Sequence, residues 1–262
     1  VTSARAAWVA LREGATRVYA TTDALVGREH DKEDWPQGVV PVLDEVCREA
    51  DHDRLDPWVR AGEPVAAGNV SELALGKARG ALVEVRSCVP VHNESCVAAL
   101  ERAGAAGVWL SPEVSLEEIE RLVPQVHVPV GITVAGRTRA MTTEHCVLQV
   151  ADRCVHDCAV CKLRAQKTYL RGGSGELCPV RTDAQGRSRV YAARPLDLAP
   201  QVPDLVRAGV RRFAVDGTLM SDDELADSVR RVARAVEARK TDRIVSKRRQ
   251  GYSSGHLFEP IE

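Results

Sequence analysis

Apolar residues first recur at helical spacing in ARAAWVALREG, at 4–14, and the chain then falls into short β-rich runs. VYATT at 18–22, VVPVLDEV at 39–46, PVAAGNV at 64–70, VEVRSCVPV at 83–91, GVWLS at 107–111 and PVGITVAG at 129–136 are each predicted to be strands. Between them, NESCVAALERAGA at 93–105 carries apolar residues at helical spacing, and SLEEIERLV at 115–123 predicts another helix. There Ser115 is followed three residues on by Glu118, a capping box that fixes where the helix begins. Further on, PDLVRAGVRRFAVDG at 203–217 gives a helix, a stop at Gly209 and a strand. DDELADSVRRVARAVEAR at 222–239 gives a long helix with Ser221 as its cap.

Strands alternating with helices predict an α/β fold with a parallel sheet and crossover helices. About seven strands can be counted, and a TIM-like (β/α) barrel is the economical way to close such a series. An open doubly wound sheet is the alternative. A count short of eight is what a barrel truncated at its N-terminus would give. No G-x-G-x-x-G follows any of the strands, so no dinucleotide site is expected. The rhythm breaks near residue 140, which divides the chain into a barrel segment at 1–140, a Cys-, Arg- and Gly-rich segment at 141–190, and a closing strand, helix and tail at 191–262.

The 262 residues are 44% hydrophobic, enough to supply a buried core. With 36 basic against 37 acidic residues, bulk charge steers the chain toward neither nucleic acid nor anionic membrane. No apolar run approaches the roughly 20 residues that span a bilayer. The opening VTSARAAWVALREGA holds neither a signal h-region nor an initiating Met, so a cytoplasmic chain, the C-terminal part of a longer one, is expected.

Eight cysteines are present, and five of them crowd into residues 146–178, a spacing that suits a metal better than disulfides. Within EHCVLQVADRCVHDCAVC, Cys146, Cys154, Cys158 and Cys161 form C-x7-C-x3-C-x2-C. Soft thiolates must converge on a metal, and short spacings let them do so at little loop-closure cost. Four thiolates suit either a 4Fe-4S cluster or zinc, and only Cys158 and Cys161 form the C-x2-C pair that zinc sites use twice. Cys178 and the flanking His145 and His156 are spare ligands, with strand packing and local hydrogen bonding as their plainer roles. Cys47, Cys88 and Cys96 lie in apolar settings and read as core.

The runs GVWLSPEVSLEEIERL, PVGITVAGRTRAMTTEHC, the cysteine segment, PVRTDAQGRSRVYAARPLDL, PDLVRAGVRRFAVDGT and SGHLF, in that order over roughly 60–262, resemble peptidase family U32. The resemblance implies a TIM-like barrel and a 4Fe-4S cluster on the four cysteines. Despite the family name, several members look like oxygen-independent hydroxylases that modify tRNA, rRNA or a quinone precursor, with prephenate as oxygen donor in some. Asp216-Gly217-Thr218 stands where relatives often carry Glu-Gly-Arg.

Strand ends are the reactive end of a barrel, which makes Arg137, Glu113, His92 and Asp216 the catalytic candidates, with Asn69, Asn93 and Ser111 beside them. Helix capping and loop hydrogen bonds are the competing roles. Three functions follow: a redox or hydroxylating enzyme acting on RNA or a small molecule with an electron donor as partner, a peptidase, or a non-catalytic metal-stapled RNA-binding module. The peptidase would need His92 beside Cys96, since no G-x-S-x-G occurs. The binding module would use Lys162–Arg171 and Lys247, Arg248 and Arg249 on phosphates.

Overall fold

Helix α1, Ala4–Arg12, starts where Ser3 accepts a hydrogen bond from the Ala6 N–H at 3.1 Å, and it buries Ala4, Ala7, Val9 and Ala10. The computed structural model describes residues 1–26, 34–151, 154, 156–158, 160–238 and 247–258. They fall into two units: Val1–Gly136 with Asp197–Gln250 and Ser254–Glu262, and Arg137–Leu196 with Gly251–Ser253.

In the first unit the Val- and Ala-rich runs become parallel strands, neighbours in chain order: β1 (Tyr19–Thr21), β2 (Val40–Val42), β3 (Pro64–Ala67), β4 (Leu82–Val85), β5 (Gly107–Trp109) and β6 (Val130–Gly136). Helices α2 (Thr22–Val26), α3 (His52–Leu55), α4 (Val70–Arg79), α5 (Glu94–Ala103) and α6 (Leu116–Leu122) lie between them in the chain. The α6 capping box forms as expected: Ser115 Oγ accepts from the Glu118 N–H at 3.3 Å, and the Glu118 carboxylate accepts from the Ser115 N–H at 2.7 Å. Helix α4 was not legible in the apolar pattern, which runs the strand on to Val70. The strand stops at Ala67 because Asn69 caps a helix, its Oδ1 accepting from the Glu72 N–H at 2.9 Å.

The second unit holds an antiparallel sheet, order β7-β10-β9-β8, of β7 (Arg139–Thr143), β8 (Thr168–Arg171), β9 (Leu177–Thr182) and β10 (Ser188–Tyr191). Its strands are hidden in the sequence because the alternation is blurred: Met141, Tyr169, Leu170 and Leu177 are all exposed. Cys178 lies in β9 opposite Leu170.

The first unit closes with β11 (Leu196–Asp197), α7 (Val202–Arg207), β12 (Arg212–Val215) and α8 (Asp222–Ala238). Strand β12 pairs with β6, and Val9 and Ala10 of α1 pack against Leu225 and Val229 of α8. The helix before the first strand therefore meets the helix after the last, which curls the sheet into a TIM-like half-barrel, the α/β architecture expected. Inside it Glu84 is almost fully buried. One of its oxygens faces Arg17 Nη1 at 2.6 Å and Arg212 Nη1 at 2.8 Å; the other accepts from Tyr19 OH at 2.6 Å and Trp109 Nε1 at 3.3 Å. Burial and the neighbouring Glu84 push the Tyr19 phenol up to about 12. Two glycines make room for this hub. A Cβ at 107 would lie 2.7 Å from Arg212 Nη1, and one at 131 would lie 2.5 Å from the Trp109 ring.

At the C-terminal end, Leu257 is buried and its carbonyl accepts from the Leu116 N–H at 2.8 Å. Arg249, expected to be available for phosphate, is engaged with buried Asp197 at 3.3 Å and with Asp227 at 3.1 Å. Residues 239–246 and 259–262 of the expected tail lie outside the described residues.

Candidate functional site

The four cysteines of the C-x7-C-x3-C-x2-C run line one hollow in the second unit, together with His156, Arg164 and Thr182. The hairpin joining β9 to β10 shapes it. Asp183 N–H donates to the Arg187 carbonyl at 2.9 Å and Gly186 N–H to the Asp183 carbonyl at 3.2 Å, closing a turn that Gly186 completes at φ +80. The Asp183 side chain braces this turn, Oδ1 accepting from the Gln185 and Arg187 N–H groups at 2.9 Å and Oδ2 from Arg189 at 2.8 Å. Ser188, fully buried at the start of β10, accepts from the Val147 N–H at 3.2 Å and so ties down the chain next to Cys146.

Gly186 leaves room beside Cys158, since a Cβ at that position would stand 2.9 Å from its Sγ. On the opposite side of the sequence run, His156 takes a left-handed backbone at φ 55 and donates its N–H to Cys154 Sγ at 3.4 Å. Burial pushes the Cys158 thiol up, and the nearby Cys146, Cys154 and Cys161 push it further, while Arg164 acts the other way. The four thiols line one hollow with Cys158 near the other three, the donor set that a thiolate-held cluster would use. Among the described residues, no three His, Cys, Asp or Glu side chains are gathered as a site for a single metal ion.

The other candidates lie apart from this hollow. His92 Nε2 and Glu113 Oε2, in the connections that follow β4 and β5, come within 3.4 Å of each other, both half-exposed. Ser111 Oγ accepts from the Glu113 N–H at 3.3 Å. Asn69 and Asn93 cap α4 and α5. Asp216 accepts from the Thr218 N–H at 2.9 Å, and Arg137 donates to the carbonyls of Ala192, at 2.8 Å, and Ala193. Cys96, the hoped-for partner of His92, donates instead to the Pro90 carbonyl at 3.4 Å. Neither it nor Cys47 nor Cys88 is core, for all three are half-exposed.

Peptidase family U32 is the family whose model matches residues 70–254. The chain belongs to that family. No curated protein matches it. Among solved structures, this U32 chain is similar to the one described as "Native KDPGal structure", with a TM-score of 0.50 and 9% identity over 90% of this chain and 88% of that one. It is also similar to a thiamine phosphate pyrophosphorylase from Pyrococcus furiosus, with a TM-score of 0.45 and 13% identity over 89% of each chain. The first likeness carries the fold alone. Among the described residues of the U32 chain, no helix is long and apolar enough to cross a membrane.

Sequence reasoning missed one unusual carboxyl in the barrel unit. Glu72 is 4% exposed, with one oxygen accepting from the Gly68 N–H at 2.7 Å and the other without a hydrogen-bond partner. Burial pushes its pKa up to about 7 from an ordinary 4.5. A carboxyl whose folded pKa lies above its unfolded one adds stability that is complete below about 4.5 and lost as pH rises through about 7. Urea unfolding at pH 5 and pH 8 is expected to show a loss of about 2–3 kcal/mol from this group, and Glu72→Gln to remove it. Equal pH slopes for the two proteins would contradict the assignment.

Proposed function

We propose that this U32 protein is a redox enzyme that holds a 4Fe-4S cluster on Cys146, Cys154, Cys158 and Cys161 and takes part in oxygen-independent hydroxylation of RNA or of a small aromatic or quinone precursor. The observation that supports it is that the four thiols line one hollow, with Gly186 leaving room beside Cys158. When bound, such a cluster would supply one-electron chemistry. The protein's own part is to present four thiolates, to hold them against the Asp183-braced turn, and to limit water around them. The substrate class comes from the family resemblance rather than from the hollow.

Anaerobically purified protein is expected to be brown, with about four irons and four sulfides per chain. A colourless protein with one zinc per chain and no inorganic sulfide would sink this reading and favour a structural metal.

A further inference from the structure

Cys161 heads a short 3-10 turn, Lys162–Ala165. Side chains three apart eclipse in such a turn, so Arg164 is returned to the side of Cys161 and lines the same hollow as the four cysteines. Its Nε is buried and has no hydrogen-bond partner. A buried N–H without an acceptor costs stability until one meets it. Guanidinium also keeps its charge at every working pH. Of the described residues lining the hollow it alone is permanently cationic, Asp157 being the anion among them and Lys162 on the same turn being exposed.

We propose that Arg164 is the positioning residue that sets the reduction potential of the cluster, an assignment that rests on the cluster-binding function proposed above. One-electron reduction adds a negative charge inside the hollow. A fixed cation lining the hollow favours the reduced form, so Arg164 raises the potential.

The test is a dye-mediated dithionite titration of the anaerobically prepared holoprotein, followed by visible absorbance, with iron and sulfide assayed in parallel. Dithionite supplies the electron. Arg164→Gln is expected to keep its iron and sulfide while the equilibrium constant for reduction falls about tenfold, a shift of about 59 mV to more negative potential for one electron. Lys162→Gln, which removes the exposed neighbour, is expected to leave the potential in place. An unchanged potential in Arg164→Gln, or an equal shift in Lys162→Gln, overturns the assignment while leaving the cluster intact. Should Arg164→Gln hold too little iron to titrate, Arg164→Lys carries the test. Retained charge predicts a constant within about twofold of wild type, and a tenfold fall overturns the proposal. Wild-type protein without iron and sulfide overturns the proposed function and this assignment with it.

Discussion

Gly186→Val is expected to lower the iron content of anaerobically prepared protein on the order of 10-fold, the usual scale for damage just outside a set of metal ligands. Two physical effects add. The residue sits at φ +80, where a β-branched side chain is strained by about 1–3 kcal/mol. Its new Cβ would also meet Cys158 Sγ at 2.9 Å, so the thiol must turn out of the hollow. Gly186→Asn separates the two, because Asn accepts a left-handed backbone more readily and still adds the Cβ. It should keep the fold and yet lose much of the iron. Gly173→Ala is the control, since a Cβ there meets nothing within 4 Å. Iron assays on the three variants check the prediction, and wild-type iron in Gly186→Val would refute the cradle.

The largest stability loss is expected at Glu84→Ala. Its carboxylate bridges Arg17 and Arg212, and it also accepts from Tyr19 and Trp109. Removing one partner of a buried ion pair costs about 3–5 kcal/mol, chiefly through the charge left behind. Arg17 is 44% exposed and recovers solvation, whereas Arg212 at 26% recovers less. The cost should fall near the lower bound, lowering the melting temperature by roughly 10 °C. Adding Arg212→Ala to Glu84→Ala is expected to cost less than the two single losses summed, because the orphaned charge is gone. Thermal melts of both single variants and the double variant decide this. Strict additivity would mean that the two groups do not feel each other.

What could be read in the sequence was whatever local spacing controls. The Ser115 and Ser221 caps, the Gly209 stop and the β-rich runs at 18–22 through 129–136 each depend on neighbours within a few residues, and each recurs in the structure. The cysteine spacing singled out the hollow for the same reason. Glu84 was not legible, because its partners lie 65 and 67 residues away in Tyr19 and Arg17 and no periodicity links them. Gly186 looks like any turn glycine; its meaning comes from Cys158, which the chain brings over it only in three dimensions. The reactive-end candidates were chosen by position alone. Asn69 and Asn93 prove to be caps, the role that Asn prefers before a helix, and Arg137 spends its donors on backbone carbonyls.

Strand β6 ends at Gly136 and its partner β12 begins at Arg212. As the chain emerges from the ribosome at 5–20 residues per second, the intervening stretch of roughly 75 residues takes about 4–15 s to appear. Until β11 and then β12 emerge, one side of β6 must wait with its amide and carbonyl groups unmatched, while the antiparallel sheet, whose last strand ends at Tyr191, is finished first in the nascent polypeptide. A chaperone that shields an exposed strand would find its target in this window rather than in the finished molecule.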